Sequence, residues 1–284
     1  MQEAVGVLLA LVTSVFTTCL LVMSSRWLGA NEGKTDEGSN WRSVPARFFL
    51  SVAMSFAFFV GMSWLLGEVA LSDPSKTKFW HWLAPVSVVA AFITSPLTMA
   101  KSAWRYAAWL TIGLAVAYLL VPTWESLVPP RNVYIPVFGV FVAGLIASYE
   151  FVSGITSPRE QVVMLFATSV GVAVSCAAVV SLKFGLLAAY VALGFAGALV
   201  ASFFVALDPL SIRGSMPTAA VLVASTAFFG FVYPENPIPE LALLPWAPCM
   251  AIPWNRNWKT RLCAVIAIVV GLVLVLWMRF EVLA

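Results

Sequence analysis

The stretch 161–206, QVVMLFATSVGVAVSCAAVVSLKFGLLAAYVALGFAGALVASFFVA, decides the class of fold, because it holds two long apolar runs and a single charge, Lys183. Each run, 161–182 and 184–206, is close to the roughly 20 residues a helix needs to cross a bilayer. A membrane strand would alternate apolar and polar residues, and these runs do not. In lipid a helix satisfies every backbone amide within its own segment, so both runs are expected to be helical. Leu182, Lys183, Phe184 and Gly185 are left to reverse the chain, with Gly185 able to take a positive φ, and the two helices should form an antiparallel hairpin.

Similar runs recur outward from this hairpin at about 48–67, 82–100, 106–122, 134–149, 217–233, 238–253 and 262–278, each bounded by charge, proline or glycine. Another opens the chain before Arg26. It carries Glu3 and no basic leader, so it reads as a retained helix and not as a secretory signal. The expected fold is an all-α, polytopic transmembrane helix bundle of about ten crossings, with residues 1–284 forming one domain and a hydrophilic loop over about 26–47. The chain's 284 residues are 61% hydrophobic and 10% charged, with a mean hydropathy of +0.95. A soluble globule carries about 25% charged residues, so a water-soluble protein and a separate soluble catalytic domain are both excluded.

Ten crossings place Arg26, Lys34, Arg42, Arg47, Lys101, Arg105, Arg159, Arg213, Arg256, Lys259 and Arg261 on one side, leaving five of the 16 basic residues on the other. Basic connections stay in the cytoplasm, so both termini are predicted to face outward, and the protein to reside in the cell membrane. If 238–253 did not cross, the split would narrow to 9 against 7. Trp27, Trp80, Trp82, Trp104, Trp124, Trp254 and Trp258 all fall where a run meets its connection, the depth at which amphipathic rings settle. The net charge of +3 is dispersed, which gives no clustered basic face for nucleic acid.

Small residues four apart mark helix faces that can approach closely: Gly6, Ala10 and Ser14; Gly139, Ala143 and Ala147; Ala167, Gly171 and Ser175; Gly194, Ala198 and Ser202. They are expected to serve packing, within the chain or against a second copy or another membrane protein, the alternative being a narrow pathway lined by small groups. Hydroxyls accompany them at Thr13, Ser14, Thr17, Thr18, Ser51, Ser55, Ser63, Ser169 and Ser175, and are expected to bond back to the carbonyl one turn earlier. The four cysteines, Cys19, Cys176, Cys249 and Cys263, lie inside apolar runs and read as small buried side chains.

The clearest pointer to a functional site is 238–253, IPELALLPWAPCMAIP. Pro245 and Pro248 remove donors and should interrupt the helix near 243–247, freeing backbone carbonyls as in the discontinuous helices of many transporters. A substrate pathway is therefore expected to involve Pro245, Trp246 and Pro248, with a polar cavity near 246–250. Glu150 and Glu240 are further candidates. Glu150 closes a run too short to span, so the helix should continue through Phe151, Val152 and Ser153 and draw Glu150 to the headgroup boundary, as an interface residue or a gate. The two carboxylates are expected at opposite ends of the bundle.

Enzyme chemistry finds no support in the motifs. His81 is the single histidine, which rules out an H-E-x-x-H zinc site and a bis-histidine haem within this chain. It reads as an interface residue. No Walker loop, G-x-G-x-x-G or nucleophile elbow is present, and Asn236-Pro237 lacks the second copy a water channel would show. No metal and no cofactor are expected. The partners anticipated are the lipid bilayer, a small neutral or amphipathic solute, and a protein neighbour; the alternative to a permease-like carrier is a non-catalytic membrane subunit that packs through its small-residue faces.

Overall fold

The computed structural model describes residues 44–66, 79–98, 102–125, 127–204, 207, 209–233, 238, 240–251 and 257–283, together with Val12, Thr13, Phe16 and Leu20. Most of the first apolar run, the loop up to residue 43, Cys19, Trp27 and Trp254 lie outside the described residues. Among the described residues every regular element is helical and no strand occurs. The helices are α1 Val44–Leu66, α2 Leu83–Leu97, α3 Ser102–Leu120, α4 Arg131–Ile155, α5 Pro158–Val179, α6 Leu182–Phe204, α7 Pro209–Val232, α8 Glu240–Leu243, α9 Ala247–Met250 and α10 Trp258–Leu283. Short 3-10 turns precede α2 at Phe79–Trp82 and join α8 to α9 at Leu244–Trp246. Helix α1 takes up residues 44–47, which the sequence reading assigned to the loop.

Six of these helices, α3, α4, α5, α6, α7 and α10, are long and apolar enough to cross a membrane. Several run further into charged sequence than the apolar runs do. Helix α4 has 25 residues, about 37 Å of axis, and reaches well past Glu150 because Phe151 and Val152 continue its apolar faces. Helix α5 starts with Ser157 and Glu160 in a capping box and Pro158 in its first turn, where a missing N–H costs nothing.

Helix α7 is the axis of the bundle: 94% of its apolar span is buried, against 28% for α3 and 22% for α10, which lie at the periphery. Its buried face is rich in small residues, Ala219, Ala220, Ala224, Ala227 and Gly230, so neighbouring helices can close around it from all sides. Three of the small-residue faces are taken up inside the chain. Gly139 lies against Leu114, with Gly113 facing it, at the α3–α4 crossing; Gly171 lies against Val269 of α10, and Gly194 against Met54 of α1.

Side-chain contacts fix the direction of each helix. Glu150 meets Arg213 and Phe138 stacks on Phe228, so α4 runs antiparallel to α7. Gln161 reaches Met216 and Cys176 reaches the Thr226 carbonyl, so α5 runs parallel to α7. Arg261 pairs with Glu160 and Val269 lies on Gly171, so α10 is parallel to α5. The α8–α9 segment returns from Leu241, beside Gly230, to Trp246, beside Gly144. One end of the bundle thus gathers Arg105, Arg159, Arg213, Lys259 and Arg261, while Arg131 and Lys183 lie at the other.

Several local expectations change. The α5–α6 reversal is made at Val180 and Ser181, whose amides both donate to the Cys176 carbonyl, and α6 has already begun at Leu182. Gly185 has no positive φ; it is needed because a Cβ there would press on Ala177 across the hairpin. Trp80 is buried beneath the Lys183 ammonium, 4.3 Å from its ring centroid, whereas Trp82, Trp104, Trp124 and Trp258 are exposed at the two ends. His81 packs edge-on against Trp80. Cys176 is buried, Cys249 half-buried and Cys263 exposed on α10, so burial does not extend to all the cysteines. Ser63 bonds back to Phe59, but Ser51 and Ser55 cross to carbonyls of Gly214 and Ser87, and the buried hydroxyls of Ser169 and Ser175 have no hydrogen-bond partner.

Candidate functional site

Helix continuation places three charges in one knot. Arg105 stands in the first turn of α3 with Trp109 four residues on, so both project from the same face. Arg213 stands a turn into α7, and Glu150 lies about one and a half turns before the end of α4. Glu150 Oε1 accepts from Arg105 Nη1 at 3.1 Å and from Arg213 Nη2 at 3.1 Å, while Oε2 accepts from Trp109 Nε1 at 3.2 Å. The carboxylate is 4% exposed, Arg105 16% and Arg213 41%. Glu150 is therefore a buried carboxylate that accepts three hydrogen bonds, two of them from arginines.

The knot carries an excess positive charge. Two guanidinium groups meet on one oxygen, so their nearest nitrogens are no more than about 6 Å apart and repel each other by roughly 2–3 kcal/mol at an effective dielectric constant near 20. The Nε atoms of both arginines are buried with no hydrogen-bond partner. A second pair stands nearby at the same end: Glu160, the capping residue of α5, binds Arg261 at 3.3 Å, and Arg261 also donates to the Ile155 carbonyl. Arg159 lies 4.3 Å over the Phe203 ring.

The interrupted segment abuts this end. Pro248 has no N–H for the Leu244 carbonyl, which takes the Ala247 amide in a 3-10 turn instead. The next carbonyl, Pro245, accepts from the Tyr149 hydroxyl at 2.7 Å. Gln161 Nε2 donates to the Tyr149 carbonyl at 3.1 Å and touches Met216 Sδ, tying α4, α5 and α7 together one residue from Glu150. Proline geometry thus exposes a carbonyl, and a buried phenol answers it.

Beside α8 lies a cavity of about 150 Å³ lined by Tyr134, Phe138, Phe141, Phe228, Phe231 and Ala242 among others. Phe138 and Phe228 stack at 3.9 Å, and Trp246 stands edge-on to Phe141 at 5.9 Å. The Tyr134 hydroxyl is turned away to the Val128 carbonyl, so the lining is apolar, in contrast to the polar cavity anticipated near 246–250. A second apolar cavity of about 200 Å³ lies between α2 and α3, lined in part by Pro85, Val89, Ile93, Ile112 and Leu119. At the far end of α7 the Tyr233 ring packs edge-on against Trp124, 4.9 Å between centroids.

The structure places Pro245 and Trp246 between the two features: the Pro245 carbonyl accepts from Tyr149, the neighbour of Glu150, and Trp246 stands on Phe141 at the rim of the aromatic cavity. Glu240 lies at the opposite end from Glu150, since from Arg213 to Gly230, next to Leu241, is about 25 Å of α7, and it stands two residues before Ala242 of the cavity lining. Arg105, Trp109, Arg213, Tyr149 and Gln161 were not singled out from the sequence, where the arginines read as loop charges. The spacing of Arg105 and Trp109 on one helical face was a signal that could have paired those two, whereas no such pattern marks Arg213, Tyr149 or Gln161. Among the described residues no group of three metal-ligating side chains occurs.

An all-helical bundle with six helices of membrane-spanning length and composition defines an integral membrane protein. Comparison with protein-family models, with curated proteins and with solved structures found no match.

Proposed function

We propose that the protein is a non-catalytic, permease-like carrier or binder of a small neutral or amphipathic solute. The observation that carries this reading is the aromatic cavity walled by the interrupted α8–α9 segment, an apolar recess beside a helix whose carbonyls are not all committed to its own hydrogen bonds. Ligand sites are mostly apolar with a few placed polar groups, and discontinuous helices supply backbone oxygens at such sites. In this arrangement the chain makes about ten crossings, the α8–α9 segment being one of them, the basic end faces the cytoplasm and both termini face outward. Ala242 of α8 closes one wall of the recess, and Trp246 stands edge-on to Phe141 at its rim.

The test uses purified protein in detergent and a panel of neutral amphipaths of graded chain length, read as thermal protection. Binding should be lost in Phe228→Trp, whose larger ring fills the recess, with folding retained. If no amphipath protects the parent, or all protect Phe228→Trp equally, the recess is not a solute site.

The alternative, a packing subunit, draws on α10, which turns Ile266, Val270, Leu274 and Val275 outward and leaves open space at Gly271. Under that reading Cys263, exposed on the same helix, would cross-link to a neighbour in native membranes.

A further inference from the structure

The Glu150 knot holds two guanidinium groups against one carboxylate, and this imbalance is independent of what the aromatic cavity binds. Each arginine spends one donor on Glu150 Oε1. Arg213 keeps two-fifths of its side chain exposed, while its Nε and that of Arg105 are buried without a partner. The positive ends of the α3 and α7 helix dipoles point the same way, since both arginines stand in or near a first helical turn. Among the described residues nothing in the knot answers the second positive charge.

Its depth in the bilayer follows from its neighbours. Trp104 is 76% exposed and Tyr106 53%, flanking Arg105 on either side in sequence, and Trp258 is exposed at the start of α10 at the same end. Aromatic rings of this kind settle at headgroup level. An arginine fork at that level, half open and short of an anion, matches the geometry of a phosphate, which accepts two parallel N–H bonds from one guanidinium.

We propose that Arg213, supported by Arg105 and kept in place by Glu150, is a binding site for a phosphate oxyanion at the basic end of the bundle, with the phosphodiester of an anionic lipid headgroup as its ligand. Glu150 acts here as a positioning residue: it fixes both guanidinium groups and neutralises one of them, so that a single negative charge completes the site.

The experiment is native mass spectrometry of the full chain released from micelles containing phosphatidylglycerol, phosphatidylcholine or inorganic phosphate alone, for the parent, Arg213→Gln and Lys259→Gln. Arg213→Gln leaves the Arg105–Glu150 pair intact and neutral, so folding should survive. The parent should retain phosphatidylglycerol in preference to phosphatidylcholine. Arg213→Gln should weaken that retention about tenfold, as expected for loss of a charge-assisted hydrogen bond. Lys259→Gln, which removes an exposed charge at the same end, should change it by less than about threefold. Displacement of the lipid by inorganic phosphate would identify the same oxyanion chemistry with a soluble source; no displacement identifies the lipid. Equal retention of the two lipids by the parent, or an equal loss in Lys259→Gln and Arg213→Gln, would overturn the site. Should Arg213→Gln fail to fold, Arg213→Lys keeps the charge without the planar fork and should show a partial loss; full retention there overturns the proposal as well.

Discussion

Replacing Glu150 by Gln should be among the most damaging conservative changes in the chain. The substitution keeps the shape but removes the charge on which Arg105 and Arg213 converge at 3.1 Å each. With charge centres about 4 Å apart and an effective dielectric constant near 20, the Arg105 pair loses roughly 4 kcal/mol of attraction. The Arg213 pair, half open to solvent, is discounted to about 1 kcal/mol or less. Repulsion between the guanidinium groups, roughly 2–3 kcal/mol, is no longer offset, although the exposed arm of Arg213 can swing toward water to relieve part of it. A net destabilisation of about 3 kcal/mol follows, at the low end of what removing one partner of a buried pair costs. At about 2–4 °C per kcal/mol for a chain of this size, the melting temperature in detergent should fall by roughly 6–12 °C. The double variant Glu150→Gln with Arg105→Gln should recover part of the loss, because the uncompensated buried charge goes with it. A melting temperature within about 1 °C of the parent for Glu150→Gln, or a double variant less stable than the sum of the singles, would refute the electrostatic reasoning.

Tyr149→Phe removes the donor to the Pro245 carbonyl and leaves a buried acceptor, so it should cost about 1–3 kcal/mol by thermal unfolding; an unchanged midpoint would show that the bond does not hold the interrupted segment. Gly113→Ala should lower the yield of folded protein sharply, because its Cβ would overlap the Gly139 carbonyl and backbone must move to make room. Gly154→Ala, with nothing within 4 Å of its Cβ, should be tolerated or gain about 0.5–1 kcal/mol; the same loss at both sites would contradict the close α3–α4 crossing.

Most of the helical layout was readable because apolar runs in lipid have one way to satisfy their amides, and runs such as 161–182 and 184–206 contain little else. The chain reversal near Lys183 was placed slightly late because tertiary contact with Ala177, and not backbone freedom, decides the role of Gly185. The Glu150 knot was hidden for a different reason. Hydropathy assigns charges to loops, yet α3, α4 and α7 each extend a turn or more into charged sequence, and only their mutual packing shows that the three charges neutralise one another in part. Trp109 was overlooked because a tryptophan within an apolar run reads as packing, and its place four residues after Arg105 matters only once α3 is seen to start before that arginine. The prolines of 238–253 did announce the interruption, since the loss of an N–H is a local covalent fact. The character of the cavity beside it depends on which rings α4 and α7 turn inward, which is a property of the assembled bundle.

The most direct test of the account is two-sided cysteine labelling in intact cells, using a cysteine-free background with single cysteines at Thr123, Arg159 or Asn257 and a membrane-impermeant maleimide. Thr123→Cys should react from outside, and Arg159→Cys and Asn257→Cys only after permeabilisation, because in the proposed topology the α8–α9 segment carries the chain from one face to the other. Labelling of Asn257→Cys from the same side as Thr123→Cys would contradict the membrane arrangement on which the rest depends.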